Sequence, residues 1–360
     1  MQTQNTKTAV DFTGQNIYVG IDTHYKTWMV SIYSDEFELK TFGQEPDVDR
    51  LENYLLKHYP NANLKLAYES GFCGFWIQRS FAKKGIHCDV AHAADVPGSN
   101  KELIRKTDKV DSRKIAKGLR NNELNCIFIP NEQLESDRQL LRSRTKIVRD
   151  TTSVKNRIKG FLKFKGINIP GDYKSNKWSK KFISWLQSIE LESISSSKAA
   201  FGSYVDELIF LLEKQKQLNQ AIESLAKSDT YSSDMHLLRT VPAIGLLSGM
   251  TILTELGDIS RFQKQDHLYS YCGLTPDCHS SGNTERIGKV SRRGNIFIKN
   301  VLIECAWVAV RKDPALLLYY KQQLPKMDRN KAIIKVARKL LNRIRYVLKN
   351  KMEYQIGIVE

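Results

Sequence analysis

Four carboxylates in the first third of the chain stand where metal-dependent chemistry could take place. Asp22 ends a predicted apolar strand, Glu69 ends another, and Asp108 and Asp111 lie three residues apart at the start of a predicted helix. That spacing lets both aspartates project from one helix face. Carboxylate oxygens are the ligands that Mg²⁺ prefers, and two such ions about 4 Å apart would stabilise the attacking and leaving oxygens of a phosphodiester. We therefore expect a Mg²⁺ site formed by Asp22, Glu69, Asp108 and Asp111.

Each of these acids also has a simpler interpretation. Taken singly, it is a solvated surface residue, and Asp108 and Asp111 would also favour a helix N-terminus. A bare carboxylate directly after an apolar strand, as at Asp22 and Glu69, weakens that interpretation. Lys106 and Lys109 flank the aspartates and could contact a scissile phosphate, although both are equally compatible with surface charges.

A second stretch, residues 271–295, combines serine, glycine and basic side chains. Ser280 and Ser281 precede Gly282, and the basic residues that follow are Arg286, Lys289, Arg292 and Arg293. Small and cationic residues suit a loop that approaches an anionic backbone closely, and a serine among arginines is what phosphoryl transfer requires. Ser281 is the candidate nucleophile. The alternative is a basic surface loop with an incidental serine, and the nearby base in the sequence is His279.

The elements that would position the carboxylates follow a recognisable order. Three β-type runs, residues 17–21, 28–33 and 37–42, are separated by few residues and predict an antiparallel meander. A helix, a strand at 64–68, a helix, a strand at 87–91 and a helix near 110–120 follow. This order matches a ribonuclease-H-like (RuvC-like) α/β fold, so we predict such a domain over residues 1–130.

The remainder of the chain is predicted to be helical. Residues 131–230 form a linker that includes a long basic helix with an apolar stripe over 140–164, suited to a coiled-coil arm or to tracking phosphates. Residues 231–360 form a mostly helical domain that carries Ser281. Within it, the turn at Val241–Gly245 between two helices is either a hairpin turn that contacts DNA phosphate or a plain helix–helix turn.

The overall charge indicates a polyanionic partner. The net charge is +17, while residues 1–125 hold 17 basic and 16 acidic side chains, so the excess lies beyond the first domain. The longest apolar run is too short to span a bilayer, and the polar start of the chain is unlike a signal peptide. Six cysteines without a Cys-x-x-Cys pair argue against structural zinc and fit reduced thiols in the cytoplasm. We expect nucleic acid as the partner, no membrane association and a cytoplasmic location.

The two halves together resemble a known family. The motifs that carry the resemblance occur in one order: Gly20-Ile21-Asp22, Tyr68-Glu69, residues 106–111, residues 241–245, Phe262, residues 271–276, His279-Ser280-Ser281-Gly282 and Arg293-Gly294-Asn295. This ordered set, which extends over nearly the whole chain, resembles the insertion-sequence transposases that join an N-terminal RuvC-like Asp-Glu-Asp-Asp domain to a C-terminal serine-bearing domain, the bridge-RNA-guided recombinases.

The resemblance implies a mechanism. Asp22, Glu69, Asp108 and Asp111 would bind Mg²⁺, and Ser281 would attack DNA to form a phosphoserine link. Strand exchange would then join donor and target DNA under the guidance of a structured RNA. The family works as a homo-oligomer, here a dimer or tetramer, in which the serine of one subunit completes the acidic site of another.

Three positions depart from the family pattern. Ala243 stands where the family usually has glycine, Ser112 stands where alanine is common, and Ser280 adjoins Ser281. None of them removes a chemical group that the mechanism needs. Two other functions fit the same residues: a metal-dependent, junction-resolving endonuclease that forms no covalent intermediate, and a non-catalytic nucleic-acid-binding relative.

Overall fold

The computed structural model describes residues 11–96, 107–173, 178–191, 195–281, 284–290 and 293–357, and for 277–281 and 284–289 it describes the course of the backbone. The chain divides once, into the units Met1–Ile129 and Pro130–Glu360. The boundaries proposed above at residues 130 and 230 stay predictions. Lys106, Gly282 and Arg292 lie outside the described residues.

The N-terminal unit is built on a five-stranded mixed sheet. Its strands are β1 (Asn16–Thr23), β2 (Trp28–Tyr33), β3 (Glu38–Gln44), β4 (Asn63–Glu69) and β5 (His87–Ala91). They lie in the order β3-β2-β1-β4-β5. The first three are antiparallel neighbours, whereas β4 is parallel to β1 and β5 is parallel to β4. The predicted strands are confirmed, with β3 shifted toward Gln44.

Helices cover both faces of this sheet. Helices α1 (Val48–His58) and α2 (Trp76–Lys83) pack on the face that holds Ile17, Val19 and Ile21. Helix α3 (Asp108–Arg120) lies against the other face, where Ala116 packs between Tyr18 and Tyr33. A sheet that is buried on both sides explains why its central strands are almost continuously apolar.

The C-terminal unit is mostly helical, as predicted. Its helices are α4 (Glu132–Phe164), α5 (Lys180–Gln187), α6 (Ser195–Ala226), α7 (Ser232–Thr240), α8 (Leu246–Leu256), α9 (Gln265–Tyr271), α10 (Ile296–Lys312), α11 (Pro314–Gln323) and α12 (Arg329–Asn350). Within the described ranges, none of them combines the length and hydrophobicity needed to cross a bilayer.

The long helices α4 and α6 run antiparallel. Arg144 of α4 donates a hydrogen bond to the side chain of Asn219 in α6. Further along α4, Arg157 forms an ion pair with Glu207, which lies nearer the start of α6. One core lies near the start of α4 and includes Leu141 and Ile222. A separate core at the far end joins α4 and α6 to α5. The predicted basic helix therefore exists, and it begins earlier than residue 140 because Asn131 caps it through the backbone N–H of Leu134.

The stretch around Ser281 is not the loop that its composition suggested. Strands β6 (Pro276–Ser281) and β7 (Thr284–Val290) pair antiparallel, with Ser281 opposite Thr284. The sequence favours this arrangement, since β-type residues of β7 follow the pair Gly282-Asn283, which is typical of two-residue hairpin connections. The serine thus lies at the end of a strand.

Candidate functional site

Two of the four carboxylates end neighbouring parallel strands. In the pairing of β1 with β4, Ile21 lies opposite Tyr68, so Asp22 and Glu69 follow at the same edge of the sheet. The carboxyl ends of parallel strands are a common location for ligand sites in α/β folds. Beside them, the hydroxyl of Tyr68 donates a hydrogen bond to the carbonyl of Gly74, which holds the segment after Glu69.

The other two carboxylates come from the first turn of α3. Thr107 caps this helix by accepting from the backbone N–H of Val110. The helix approaches β1 very closely at Gly20. A Cβ atom added there would lie 2.2 Å from the Ser112 carbonyl oxygen and 2.4 Å from the Ala116 nitrogen. Glycine at this position is therefore what allows α3 to bring Asp108 and Asp111 to the sheet edge.

A histidine that was not among the predicted residues joins this group. The Nε2 atom of His24 lies 3.3 Å from a carboxylate oxygen of Asp22 and 3.4 Å from one of Asp108. Ligand atoms of these three residues lie within 4.8 Å of one another. The sequence held a signal for His24, because it follows Asp22 by two residues at the same strand end.

Asp111 and Glu69 lie outside that tight group. Asp111 is mostly buried and forms an ion pair of 3.2 Å with Lys114, one turn further along α3. Glu69 is half-buried at the end of β4. Both still act on Asp22 electrostatically: burial raises the pKa of Asp22, the charges of Asp108, Asp111 and Glu69 raise it further, and His24 lowers it.

These donors suit a hard divalent cation. Apart from the imidazole nitrogen of His24, they are carboxylate oxygens that repel one another, and a bound cation would relieve that repulsion. The side chain of Asp108 is 62% exposed, whereas that of Asp22 is 16% exposed, so the group is open to solvent on the helix side. Lys109 is exposed beside Asp108 on the same helix turn.

The hairpin that carries Ser281 has a tightly packed base, where the end of α9 meets the start of α10. The backbone N–H of Asn295 donates to the Tyr271 carbonyl at 2.8 Å. Gly273 has a φ of 62°, and a Cβ atom added to Gly294 would lie 2.1 Å from the Gly273 Cα atom. Two glycines in backbone contact thus bring the end of α9 and the start of α10 together. The side chains of Ser281, Arg286 and Lys289 lie beyond this description, and Arg293 is exposed next to the glycine contact.

A fully buried carboxylate anchors that base. Glu255 in α8 accepts two hydrogen bonds of 2.8 Å from the guanidinium of Arg142 in α4. It also accepts one of 2.7 Å from the side-chain amide of Asn295, and its backbone carbonyl accepts from the Tyr271 hydroxyl at 2.7 Å. A buried charge without partners would be costly, so these groups depend on one another. The only sign of this network in the sequence was one carboxylate within the apolar run 246–256.

The departure at Ala243 has a structural consequence. The turn between α7 and α8 places Ala243 at a φ of 77°, in the left-handed region that glycine favours. The predicted turn between two helices is confirmed, with Gly245 at the N-cap of α8. Contact of this turn with DNA stays a prediction.

Comparisons with protein families cover both units. Residues 19–166 match the DEDD transposase model of the IS110 type, described as "Transposase". Residues 235–321 match the model described as "Transposase IS116/IS110/IS902 family". The first match contains all four carboxylates, and the second contains the Ser281 hairpin and its base.

Individual relatives are similar at low identity. The protein y4qE of Sinorhizobium fredii is 27% identical over 241 residues, which are 67% of this chain and 57% of y4qE. The transposase for insertion sequence element IS1111A of Coxiella burnetii is 24% identical over 70% of this chain and 69% of its own. The transposase for insertion sequence element IS1533 of Leptospira borgpetersenii is 24% identical over 81% of this chain and 85% of its own.

Proposed function

We propose that this chain is an insertion-sequence transposase that cuts and rejoins DNA through two cooperating sites, the acidic edge of the N-terminal sheet and Ser281. The matches of residues 19–166 and 235–321 to models of the IS110 and IS116/IS110/IS902 transposases support this proposal. The observation that carries the proposal is the arrangement of Asp22, Glu69, Asp108 and Asp111 at one sheet edge. The strand order, with β4 and β5 parallel to β1, supports an RNase H-like fold for this unit.

The acidic residues would hold Mg²⁺. Asp22 and Asp108 are the nearest pair of oxygen donors, with Glu69 and Asp111 beside them. A bound Mg²⁺ would supply Lewis-acid stabilisation to the oxygens of a phosphodiester and favour the ionised serine. In this proposal Lys109, together with Lys106, holds the DNA phosphate at the carboxylates.

Ser281 is the proposed nucleophile. Its hydroxyl oxygen forms a bond to the DNA phosphorus while the bond from phosphorus to the leaving deoxyribose oxygen breaks, and the serine proton passes to that oxygen. A DNA hydroxyl from the second duplex then attacks the phosphoserine, which restores Ser281 and joins the strands. The number of phosphodiester bonds is conserved, so the exchange needs no ATP. Arg286, Lys289, Arg292 and Arg293 would stabilise charge on the phosphate and bind the DNA backbone.

The remaining parts of the proposal concern partners. Donor and target DNA are the substrates, a structured guide RNA selects them, and a homo-oligomer brings the serine of one subunit to the acidic site of another. The excess of basic residues beyond residue 125 supports nucleic-acid binding by the C-terminal unit.

A covalent-adduct assay tests this function. Wild type is incubated with Mg²⁺, its cognate RNA and its cognate DNA, and the products are separated on a denaturing gel beside Ser281→Ala, Ser280→Ala and Asp22→Asn. We expect an adduct in wild type and Ser280→Ala and none in Ser281→Ala. Asp22→Asn should lower its formation by at least a hundredfold, since the variant keeps the shape of the side chain and removes its charge.

The outcomes separate the alternatives. Cleaved DNA without any adduct in wild type would replace the proposal with metal-dependent hydrolysis by a junction-resolving endonuclease. Nucleic-acid binding without cleavage at any Mg²⁺ concentration would replace it with a binding protein. An adduct lost in Ser280→Ala and kept in Ser281→Ala would move the nucleophile by one residue.

A further inference from the structure

A basic cleft lies on the C-terminal unit along α12. It has a volume of about 600 Å³ and is lined mainly by that helix, with Gln265 from α9 and Tyr354 from the tail. Four of its lining residues are cationic: Lys339, Arg343, Arg345 and Lys349. Among the described residues that line the cleft, none is acidic. A concave surface of one sign concentrates a ligand of the opposite sign.

The lining residues form one stripe of the helix. Lys339, Asn342, Arg343, Tyr346 and Lys349 are spaced three or four residues apart, which places them on a common face. The opposite face is buried in the core through residues such as Leu340, Leu341, Ile344 and Val347. At a rise of about 1.5 Å per residue, the stripe is roughly 16 Å long. Because the opposite face is buried, the helix backbone beneath the stripe is held in place.

The floor of the cleft is preorganised. Arg343 forms a 2.6 Å ion pair with Asp313, whose side chain is fully buried, and the Tyr354 hydroxyl donates to the same carboxylate. The guanidinium also lies over the Tyr354 ring, 5.4 Å from its centroid. The ion pair with Asp313 occupies only some of the five N–H donors of the Arg343 guanidinium. Arg343 is therefore held in place with donors left for a ligand in the cleft.

An exposed aromatic ring completes the stripe. Tyr346 lies between Arg343 and Lys349, and 59% of its surface is exposed. An exposed ring alone is unremarkable. Beside several cations in a cleft, however, it is the arrangement that binds single-stranded nucleic acid, with phosphates on the cations and an unpaired base stacked on the ring. The bases of a duplex are stacked on one another and offer no such face.

We propose that this cleft binds a single-stranded stretch of nucleic acid, with one base stacked on Tyr346 and the adjoining phosphates bound by Arg343 and Lys349. The two sources of such a strand are the unpaired part of an RNA and a displaced DNA strand. The inference concerns binding alone and goes beyond the cutting and joining reaction, so its test does not depend on whether Ser281 is the nucleophile.

Binding assays on the full-length protein test it. Fluorescence anisotropy is measured in EDTA, without cleavage, with a single-stranded RNA, the same sequence as DNA, and the corresponding duplex DNA. Stacking on one ring is worth about 1–3 kcal/mol, so Tyr346→Ala should weaken binding of the single strands by roughly tenfold or more. Tyr346→Phe should bind like wild type. Lys349→Gln should lower affinity and reduce the salt dependence by about one phosphate contact.

The matched control is Phe37→Ala in the N-terminal unit. Phe37 has the same exposed fraction, 59%, and lies beyond the end of β2, away from the strand end that carries Asp22. If Tyr346→Ala loses affinity only for the RNA, or only for the single-stranded DNA, the result would support the proposal and identify the source of the strand. Equal losses for single strands and duplex, an unaffected Tyr346→Ala variant, or the same loss in Phe37→Ala would overturn it.

A second measurement does not depend on competing binding surfaces. An oligonucleotide that carries a photoreactive base is crosslinked to wild type and to Ser281→Ala, and the attached peptide is identified by mass spectrometry. We expect a crosslink within residues 339–350 in both proteins. Its absence from both would contradict the proposed cleft, while the adduct assay above would be unaffected.

Discussion

The side-chain amide of Asn295 donates a 2.7 Å hydrogen bond to the carboxylate of Glu255, and the same asparagine caps α10 by accepting from Phe297 and Ile298. One residue thus joins a buried charge in α8 to the point where the serine-bearing hairpin returns to the helical core. Its two roles can be separated, because serine is as good an N-cap as asparagine but is too short to replace the amide.

Asn295→Ser should therefore preserve the N-cap of α10 and remove the hydrogen bond from residue 295 to the Glu255 carboxylate. A hydrogen bond to a charged group contributes about 1.5–3 kcal/mol, so we expect thermal unfolding of the C-terminal unit at a lower temperature. Formation of the covalent adduct should also slow, while DNA affinity changes little. Asn131→Ser, which changes the N-cap of α4 in the same way without a buried partner, is the control. If both variants lose the same stability and activity, Asn295 acts only as a cap.

Gly20 sets the distance between α3 and the sheet. In Gly20→Ala the new methyl group would meet the backbone of Ser112 and Ala116, which cannot rotate away. We expect a loss of about 3 kcal/mol in the free energy of unfolding of the N-terminal unit, together with weaker Mg²⁺ binding as Asp108 and Asp111 move. Denaturant unfolding and calorimetric titration measure the two effects.

The control for that substitution is Gly43→Ala in the same sheet. Its new methyl group would find its nearest neighbour, Thr27, at an ordinary contact distance of 3.5 Å. This variant should bind Mg²⁺ as wild type does. Equal behaviour of the two alanine variants would show that the close approach of α3 does not position the aspartates.

Ser112 replaces the alanine that is common at this position in the resembled family, and the structure supplies a partner for it. Its hydroxyl lies 2.8 Å from that of Ser31, which in turn bonds Thr41 at 2.8 Å. A double-mutant cycle with Ser31→Ala and Ser112→Ala should give a coupling free energy of about 1 kcal/mol. Additive losses in denaturant unfolding would mean that the two serines do not stabilise each other.

Replacing Ala243 with glycine should increase the stability of the C-terminal unit. A left-handed conformation costs a non-glycine residue about 1–2 kcal/mol, and part of that is returned by the greater freedom of glycine in the unfolded chain. Ala243→Gly should consequently raise the melting temperature by a few degrees. Ala221→Gly, at an exposed position in the interior of helix α6, should lower it. A melting temperature that falls in Ala243→Gly would show that neighbouring contacts already favour alanine there.

Local patterns predicted much of the fold. The apolar runs before Asp22 and Glu69 located both strands and both carboxylates, and the N-cap residue Thr107 is consistent with a helix that begins at Asp108. The hairpin was missed because its cationic and glycine-rich composition concealed β-type residues at 284, 287 and 290. The contacts of His24, and the pairing of Arg142 with Glu255, depend on tertiary structure. The latter pair is 113 residues apart, so no local pattern could have indicated it.

The two separate cores along α4 and α6 also bear on how such proteins diverge. Leu141 belongs to one core, while Val154, Ile158 and Leu162 belong to the other, and the far core includes no residue of α7 to α12. Helices α5 and α6 lie entirely within residues 167–234, between the two segments that match the transposase models. We therefore expect substitutions, insertions and deletions in the part of the far core that α5 and α6 supply to leave both proposed sites undisturbed. Lineages of related elements should differ most in this part of the chain.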